Sequence, residues 1–307
     1  METYDLVIIG GGPGGLTAGI YAARARLRTV LLEKGLAGGQ VALTNLIENY
    51  PGFPDGVAGM ELGQLMEQQA RNLDLEIVNA EVLKVKLRGA DKVVQTVENE
   101  YRAAALIIAT GAQHTHLGLP NEEALAGRGV SYCAVCDGAF FRGREVAVVG
   151  GGDSAVDEAL FLTRFANKVT IIHRRDALRA TKILQERAFA NPKIAFIWSH
   201  VVEQIVGTEH LEKLVLRHVR TGEKQDLVVD GLFVYIGLKP RTEFLRGTLN
   251  LDPQGYIVTN EKMETEIPGL YAVGDVRQGS LRQAIIAAGE GATAALMAEK
   301  YLAERQR

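Results

Sequence analysis

Apolar residues in this chain occur mainly as short uninterrupted runs. Two of these runs, at 6–9 and 146–149, each lead directly into a cluster of glycines. A helical stretch follows each cluster, and another apolar run follows each helix, at 29–32 and at 169–172. Short apolar runs bounded by glycine are typical of strands that are buried on both faces of a parallel sheet. The pattern therefore predicts two βαβ units.

The two predicted units share their internal spacing. Glu33 lies as far beyond Gly10 as His173 lies beyond Gly150. A glycine turn followed at a fixed distance by the end of a second strand is the arrangement of a dinucleotide-binding domain. Two chance glycine clusters would not repeat that distance, so we expect two such domains.

Other segments extend the pattern. Apolar runs that end in a glycine turn occur at 106–111 and 270–275, and a further strand is predicted at 231–237. The region 81–105 broadly alternates apolar and polar residues, which predicts an antiparallel layer. Because strands alternate with helices, the fold class is predicted to be α/β, with parallel sheets covered on both faces.

Composition and charge narrow the class of protein. The chain has 307 residues, enough for two domains, and its 47% apolar and 23% charged content is that of a globular protein. A net charge of −3 favours neither nucleic acid nor an anionic membrane as a partner. No apolar run reaches the length of about 18 residues that a membrane span needs, and residues 1–5 lack the basic start of a secretory signal. We therefore expect a cytoplasmic enzyme without nucleic-acid or membrane partners.

The first glycine cluster, Gly10-Gly11-Gly12-Pro13-Gly14-Gly15, fits the G-x-G-x-x-G pattern. In that pattern Gly10 permits a tight turn, Gly12 lets the backbone approach a pyrophosphate, and Gly15 lets the helix pack on the strand. Glu33 would accept hydrogen bonds from ribose hydroxyls and would repel a 2′-phosphate. This site is therefore predicted to hold FAD or NAD and not NADP.

The second cluster, Gly150-Gly151-Gly152-Asp153-Ser154-Ala155, is the G-x-G-x-x-A variant. Where the first unit has Glu33, this unit has His173 followed by Arg174 and Arg175, with Arg179 one turn later. Guanidinium groups are planar, charged donors that suit a 2′-phosphate, so we expect NADPH over NADH. The alternative is that the arginines form only a solvated basic helix start.

The only two cysteines, Cys133 and Cys136, lie between the glycine clusters, and Asp137 follows them directly. In a cytoplasmic protein an isolated C-x-x-C is most often a redox pair, and Asp137 could donate or accept a proton during thiol exchange. Two alternatives remain open. The pair could be half of a zinc site completed by His114 and His116, or it could be two inert buried thiols.

These residues together carry a family resemblance. The chain closely resembles the bacterial low-molecular-weight, NADPH-dependent thioredoxin reductases over nearly its whole length. The matching stretches are Gly10-Gly11-Gly12-Pro13-Gly14, Gly38-Gly39-Gln40, 47–52, 109–112, 133–138, 150–155, 173–176, Gly274-Asp275-Val276 and Arg282-Gln283-Ala284.

The resemblance implies two Rossmann-like FAD/NAD(P)-binding domains, with the NADPH domain inserted into the FAD domain. The FAD domain would comprise residues 1–113 and 244–307, and the NADPH domain residues 114–243. The residues matched to FAD contacts are Gly10, Gly12, Pro13, Gly15, Glu33, Gly39, Gln40, Asn49, Thr110, Gly111, Asp275 (on the ribityl chain), Arg282, Gln283 and Ala284. Those matched to NADPH contacts are Gly150, Gly152, Asp153, Ser154, Ala155, His173, Arg174, Arg175 and Arg179.

The resemblance also implies an electron path. A hydride passes from NADPH to FAD, the reduced flavin opens the Cys133–Cys136 disulfide, and the dithiol then reduces thioredoxin. By analogy Cys136 faces the flavin, Cys133 attacks the partner and Asp137 handles the proton. The family rotates its NADPH domain on hinges, which would lie here near 112–113 and 241–243, and it forms homodimers.

Two positions vary from a common form of the family's pattern, and the smaller change is Val135, where threonine is also common. Many members have an aromatic residue directly after Cys-Asp-Gly, where this chain has Ala139 before Phe140 and Phe141. The fit to thioredoxin is therefore less firmly implied than the electron path. The competing interpretations are a related flavin-dependent disulfide reductase or dithiol oxidase acting on another substrate and, from a different class, an inactive nucleotide-binding protein.

Overall fold

The computed structural model describes residues 2–305, and these form two compact units. Unit 1 contains the described residues up to Gln113 and from Lys239 onward, and unit 2 is His114–Leu238. Within the described range no helix combines the length and the apolar character that a membrane span requires. Unit 1 is thus discontinuous in sequence, and unit 2 is continuous.

The chain returns from unit 2 to unit 1 after Leu238, a few residues before the boundary predicted at 243/244. The hydrogen bonds of the segment that follows explain the difference. The amide of Arg241 donates to the carbonyl of Gly111, and the Thr242 hydroxyl donates to the carbonyl of Gly255. Both acceptors belong to unit 1, so the segment 239–243 belongs to it as well.

The regular elements follow the predicted alternation of strands and helices. The strands are β1 (Glu2–Ile9), β2 (Thr29–Glu33), β3 (Glu76–Asn79), β4 (Val82–Arg88), β5 (Asp91–Thr96), β6 (Glu100–Ile108), β7 (Ala112–His114), β8 (Val130–Ser131), β9 (Glu145–Gly150), β10 (Lys168–His173), β11 (Ile194–Trp198), β12 (His200–Gly207), β13 (Leu211–His218), β14 (Lys224–Val228), β15 (Gly231–Tyr235), β16 (Leu238–Pro240) and β17 (Leu270–Ala272). The α-helices are α1 (Pro13–Arg24), α2 (Gly59–Arg71), α3 (Ala134–Asp137), α4 (Asp153–Leu162), α5 (Lys182–Ala190) and α6 (Ala284–Arg305). Short 3₁₀ turns occupy Gly39–Leu43, Gly138–Phe141, Glu243–Leu245 and Gly274–Val276.

Unit 1 is built on a seven-stranded sheet in the order β3-β2-β1-β6-β5-β4, with β17 also paired to β6. The pairs that involve β1, β2, β3 and β17 are parallel, and β4, β5 and β6 form the predicted antiparallel layer. In register, Ile9 lies opposite Leu32 and Ile108, and Ile108 also lies opposite Ala272. The strands β1, β2, β6 and β17 therefore end at one edge of the sheet, where open α/β sheets bind their ligands.

The helices α1 and α6 pack closely, and small residues permit the contact. A Cβ atom on Gly291 of α6 would lie 2.1 Å from the carbonyl oxygen of Gly14 in α1. Apolar side chains fill both faces of the sheet, with Leu6 and Ile8 on one face and Val7 on the other. Burial on both faces is why β1 is an uninterrupted apolar run.

Unit 2 contains a five-stranded parallel sheet in the order β11-β10-β9-β15-β8. Val149 lies opposite Ile172, and Tyr235 lies opposite Gly150, so the strand ends again share one edge. A separate three-stranded antiparallel sheet, β12-β13-β14, contributes Leu214 to the core on one face of the parallel sheet. The second predicted βαβ unit is β9, α4 and β10.

Candidate functional site

The first glycine turn joins β1 to α1. Gly10 has a φ of +106°, and a Cβ there would lie 2.3 Å from the carbonyl oxygen of Ala109. A Cβ on Gly15 would lie 1.8 Å from the carbonyl oxygen of Gly10, so both positions require glycine for packing. Gly12 differs: it is the N-cap of α1, Pro13 is the first helical residue, and no described atom lies within 4 Å of a Cβ built on Gly12. This open space before a helix N-terminus is a cradle for a phosphate group.

Glu33, at the end of β2, is fixed by two backbone amides. Its Oε2 accepts from the N–H of Gly11 at 2.6 Å, and its Oε1 accepts from the N–H of Gly35 at 2.8 Å. An ionised carboxylate has about four acceptor sites, so acceptor capacity remains for ribose hydroxyls. A negative charge beside the turn disfavours a 2′-phosphate. The geometry therefore fits the adenosine half of FAD.

The segment of Gly38, Gly39 and Gln40 contacts the first glycine turn. The amide of Gly38 donates to the carbonyl of Gly11 at 2.7 Å. A Cβ on Gly39 would lie 3.3 Å from the Cα of Gly12, so this backbone borders the phosphate cradle. The Gln40 side chain donates to the carbonyl of Ala112 at 3.3 Å.

Two further predicted residues follow β6. The Thr110 hydroxyl donates to the carbonyl of Arg241 at 2.8 Å. Gly111 has a φ of +64°, and no described atom lies within 4 Å of a Cβ built there. Elsewhere in unit 1, the Asn49 side-chain amide donates to Oε1 of the Gln283 side chain at 3.0 Å, which brings two predicted flavin neighbours together.

Asp275 lies in the turn after β17, next to Gly274, whose φ is +72°. Burial raises the pKa of Asp275, while the charge of Arg282 acts to lower it. Arg282 itself has a φ of +56°, an unusual conformation for a non-glycine residue, and its guanidinium donates to the Tyr256 hydroxyl at 2.9 Å. Strain of this kind occurs most often at functional sites. Ala284 is the first residue of α6.

The second glycine turn, in unit 2, joins β9 to α4 and has the same arrangement as the first turn. A Cβ on Gly150 would lie 2.4 Å from the carbonyl oxygen of Tyr235 and 2.7 Å from the Cβ of Ala155. Gly152 is the N-cap of α4, and the nearest atom to a Cβ there is Nη2 of Arg179 at 3.9 Å. A second phosphate cradle is therefore open at the N-terminus of α4.

The first turn of α4 contains the remaining two predicted residues of this cluster. The Asp153 carboxylate accepts from the amide of Thr181 at 2.6 Å. The side chain of Ser154 is exposed. The hydrogen bond of Asp153 fixes the chain that follows Arg179 against the start of α4.

His173, at the end of β10, is buried beneath the second turn. A Cβ on Gly151 would lie 2.5 Å from the imidazole ring, so the ring packs directly on the turn. Burial lowers the pKa of His173, and the neighbouring guanidinium charges lower it further. The imidazole is therefore neutral at physiological pH.

The three predicted arginines surround this position with positive charge. Arg174, Arg175 and Arg179 are exposed, and none of them forms an ion pair with another residue in the range 2–305. The amide of Arg179 donates to the carbonyl of Gly151 at 2.6 Å, which holds that residue against the second turn. Guanidinium groups without a carboxylate partner beside the ribose end of a cradle fit a 2′-phosphate.

The two cysteines form a disulfide, with their Cα atoms 5.3 Å apart. Cys133 is the N-cap of the short helix α3, and its sulfur accepts from the amide of Cys136 at 3.1 Å. The Cys136 residue is exposed and Cys133 is half-buried. The pair is thus neither two inert buried thiols nor a pair of zinc ligands in this structure.

Asp137 is held by a residue to which the sequence pattern assigned no role. The buried Ser131 hydroxyl, at the end of β8, donates to Asp137 Oδ2 at 2.7 Å and accepts from the amide of Cys133 at 3.1 Å. The hydroxyl of Tyr235, at the end of β15, accepts from the amide of Ala134 at 2.9 Å. Ser131 and Tyr235 thus anchor the cysteine turn to two strands. A polar residue at the carboxyl end of each strand was the signal that could have identified them.

The phenylalanines after the cysteine motif differ in environment. Phe141 is 9% exposed and packs against the ring of Phe233 with centroids 5.3 Å apart. Phe140 is 77% exposed, and Ala139 is exposed beside it. Phe141 is therefore a core residue, and Phe140 is an apolar side chain on the surface beside the disulfide.

The histidines considered for zinc have other contacts. The Tyr132 hydroxyl lies 2.9 Å from Nδ1 of His116 and 2.8 Å from Oε1 of the buried Glu122. The ring of His114 packs edge-on against Tyr235, with centroids 5.4 Å apart. These contacts position Tyr132, directly before the cysteine turn, and Tyr235, whose hydroxyl binds that turn.

Comparison with known proteins identifies the family of this chain. A family model described as pyridine nucleotide-disulphide oxidoreductase matches residues 4–291. Thioredoxin reductase of Streptomyces coelicolor is 50% identical over 305 residues, 98% of this chain and 95% of the relative. The enzyme of the same name from Bacillus subtilis is 47% identical over 306 residues, 99% of this chain and 96% of the relative.

A solved structure gives the same result. The crystal structure of Lactococcus lactis thioredoxin reductase has a TM-score of 0.96 and 48% identity, covering 98% of this chain and 99% of that one. The resemblance predicted from the motifs is confirmed. The chain belongs to the pyridine nucleotide-disulphide oxidoreductases and, among them, to the thioredoxin reductases, which bind FAD and use NADPH.

Proposed function

We propose that unit 1 binds FAD, that unit 2 binds NADPH, and that the Cys133–Cys136 disulfide passes electrons to oxidised thioredoxin. The observation that carries the proposal is an intact disulfide in the same unit as a glycine turn flanked by unpaired arginines. When bound, NADPH would supply a hydride, and FAD would provide the means to pass its two electrons to a disulfide, which takes up protons as it becomes a dithiol. Side chains of this protein bind the two cofactors and carry out the thiol–disulfide exchange with thioredoxin.

In unit 1 the proposed FAD-binding residues lie at the edge of the sheet where β1, β2, β6 and β17 end. The helix N-terminus at Gly12 binds the pyrophosphate, and Glu33 binds the ribose of the adenosine half. The backbone at Gly39 and Gly111 borders the cofactor, since neither position tolerates a larger residue without strain. Asp275, Asn49 and the 282–284 segment hold the ribityl and flavin end.

In unit 2 the arginines select the nucleotide. Gly152 and the start of α4 bind the pyrophosphate of NADPH, with Asp153, Ser154 and Ala155 forming the first helical turn. Arg174, Arg175 and Arg179 bind the 2′-phosphate. His173 packs neutral beneath the turn, so it adds no charge of its own to the site.

Thiol–disulfide exchange proceeds in two steps, formation of a mixed disulfide and its resolution. The Cys133 thiolate attacks one sulfur of the thioredoxin disulfide, forming a mixed disulfide and releasing a thioredoxin thiolate that takes up a proton. Cys136 loses its proton and attacks Cys133 Sγ, which re-forms the internal disulfide and releases the second thioredoxin thiolate. Asp137, oriented by Ser131, gives and takes the proton. The Cys136 amide that bonds to Cys133 Sγ in the disulfide would also stabilise a thiolate there.

Anaerobic flavin spectroscopy tests the electron path. The purified protein is mixed with NADPH, and separately with NADH, before oxidised thioredoxin is added. NADPH should bleach the flavin much faster than NADH, and thioredoxin should restore the colour. Cys133→Ser and Cys136→Ser should each leave the flavin reducible but remove turnover with thioredoxin.

The same experiment separates the alternatives. A protein whose flavin is not reduced by either nucleotide would contradict the assignment of unit 2. Reduction by NADPH without reoxidation by thioredoxin would mean another disulfide substrate. In Cys136→Ser, a stable mixed disulfide with thioredoxin would support Cys133 as the attacking residue, whereas trapping only in Cys133→Ser would reverse the two roles.

The finer expectations about assembly and location belong to the same proposal. We expect a cytoplasmic homodimer that contacts thioredoxin through the surface around Phe140, and neither nucleic acid nor a membrane as a partner. The exposed phenyl ring beside the disulfide supports the docking surface. Light scattering on the holoenzyme should give twice the chain mass, and Phe140→Ser should raise KM for thioredoxin without slowing flavin reduction by NADPH.

A further inference from the structure

A buried ion pair lies behind the turn that contains Asp275. Arg277 Nη2 donates to Glu290 Oε1 at 2.5 Å, and the two side chains are only 17% and 8% exposed. Arg277 also donates to the Thr259 hydroxyl and to the carbonyl of Gln278, both at 3.3 Å. The guanidinium is therefore held from three sides.

The other oxygen of Glu290 bonds to the turn itself. Oε2 accepts from the amide of Gly274 at 2.7 Å, and this hydrogen bond is buried. Gly274 has a φ of +72°, a conformation that side-chain-bearing residues rarely adopt. Glu290 therefore fixes the backbone immediately before Asp275.

The next residue of α6 contacts the start of α1, which follows the first glycine turn. Gly291 packs against Gly14, where a Cβ would lie only 2.1 Å from the Gly14 carbonyl oxygen. Adjacent positions of one helix thus contact the turn at the end of β17 and the start of α1, the helix that follows the glycine turn of β1. The register of α6 sets the distance between them.

Fold stability does not account for this arrangement. A buried ion pair is expensive to desolvate, and an apolar pair of similar volume is often at least as stable. An apolar residue at 290 could not, however, accept the Gly274 amide. The charged pair gives a defined position to the turn in addition to filling space.

We propose that Glu290, held by Arg277, is a positioning residue that sets the Gly274-Asp275 turn at the distance from the first glycine turn that FAD requires. The proposal rests on the function proposed above, in which unit 1 binds FAD and Asp275 holds its ribityl end. Glu290 then governs binding of the ribityl and flavin half of FAD. The adenosine half, bound at Gly12 and Glu33, is independent of it.

Flavin release from the holoenzyme tests this division. The variant Glu290→Gln keeps the size of the side chain but cannot satisfy both Arg277 and Gly274 as a charged acceptor. After dilution, FAD fluorescence should appear at least tenfold faster than in the wild type. Glu299→Gln, on an exposed position of the same helix, is the matched control and should leave the rate unchanged.

Displacement by ADP distinguishes positioning from general loosening. ADP carries the adenosine and pyrophosphate but lacks the flavin half. Equilibrium titration of each holoenzyme with ADP gives the ratio of FAD to ADP affinity, which should fall about tenfold in Glu290→Gln. An unchanged ratio, or release within twofold of the wild type, would overturn the proposal.

A second variant covers the case in which Glu290→Gln does not fold. Arg277→Lys keeps a positive charge beside Glu290 and leaves the bond to Gly274 available, so its release rate should rise less, by about threefold, with ADP affinity unchanged. Equal losses of FAD and ADP affinity in that variant would also refute the inference. A wild-type protein that holds no FAD would instead contradict the proposed function itself.

Discussion

Lys92, on β5, is the most buried charged residue in the part of unit 1 that the structure describes, with 1% of its surface exposed. Its ammonium donates to three backbone carbonyls, those of Pro268 at 2.6 Å, Ala104 at 2.7 Å and Ala90 at 3.2 Å. Pro268 lies just before β17, the strand that leads to the Asp275 turn. Replacing Lys92 with methionine keeps the length of the side chain and removes all three donors.

The expected loss of stability can be worked out from these contacts. These bonds are partly buried, and each carbonyl that loses its charged donor costs roughly 2 kcal/mol. Burial is the main cause that lowers the pKa of Lys92 from its ordinary value to about 8, and methionine relieves the desolvation behind that shift, about 3 kcal/mol. The three carbonyls outweigh the relief, so Lys92→Met should destabilise unit 1 by about 3 kcal/mol.

The pH dependence of the free energy of unfolding tests the role of Lys92 in a second, independent way. Above about pH 8 the folded chain begins to release the Lys92 proton, while the unfolded chain keeps it to roughly pH 10. The unfolded state therefore binds more protons in this window, and the stability that Lys92 contributes rises with pH. The deficit of Lys92→Met relative to the wild type should widen from pH 7 to pH 10.

Urea unfolding followed by far-ultraviolet circular dichroism measures both effects. Trp198, the only tryptophan of the chain, lies in unit 2, so its fluorescence follows unit 2 separately. Lys84→Met, on the exposed side of β4, is the control and should change stability by less than about 0.5 kcal/mol. A Lys92→Met deficit as small as that of the control, or a deficit that narrows with rising pH, would refute this reasoning.

Three further predictions concern cofactor binding and pH. Gly12→Ala should lower the FAD content of the purified protein, and Gly152→Ala should raise KM for NADPH, because the added Cβ would occupy the space of a phosphate group. The φ angles of −75° and −94° accommodate alanine, so the free energy of unfolding should change by less than about 1 kcal/mol. Replacing both Arg174 and Arg175 with glutamine should raise KM for NADPH about tenfold or more and leave KM for NADH unchanged in steady-state assays, whereas an equal rise for both nucleotides would contradict the 2′-phosphate role. Burial raises the pKa of Glu158 to about 8, so the folded chain holds this proton more tightly than the unfolded chain and loses stability as pH rises from about 5 through 8. Between pH 6 and pH 9, the free energy of unfolding of Glu158→Gln, measured by tryptophan fluorescence in urea, should therefore fall by about 3 kcal/mol less than that of the wild type. Equal losses in the two proteins would exclude the effect.

The sequence was most informative where backbone rules dominate. Gly10 and Gly150 could be identified because a tight turn after a buried parallel strand demands a residue without a Cβ, and both lie at strand ends as expected. The antiparallel pairing at 81–105 was also predictable from the broad alternation of apolar and polar residues, although the burial of Lys92, Val93 and Val94 on both faces of β5 was not. These features depend on local sequence alone.

The tertiary polar contacts were not predictable in this way. Ser131 is separated by only six positions from Asp137, yet nothing in that spacing indicates a hydrogen bond to its carboxylate. Lys92 looks like a surface residue of an alternating strand until Pro268, 176 positions away, is folded against it. Glu290 likewise sits in an alanine-rich helix, and its partners become evident only when β17 returns to the sheet. Such contacts depend on which elements the fold brings together.

The anchoring of the cysteine turn bears on how easily the protein can cycle between oxidation states. The bonds from Ser131 and Tyr235 to the turn involve backbone amides and a carboxylate but no sulfur atom. Cleaving the disulfide leaves these bonds intact, so the dithiol retains the backbone frame of the disulfide. The loop then has little conformational entropy to gain on opening and little to lose on closing. Within the cysteine turn, reorganisation on opening and closing the disulfide is thereby confined to the two sulfur atoms and their immediate side chains.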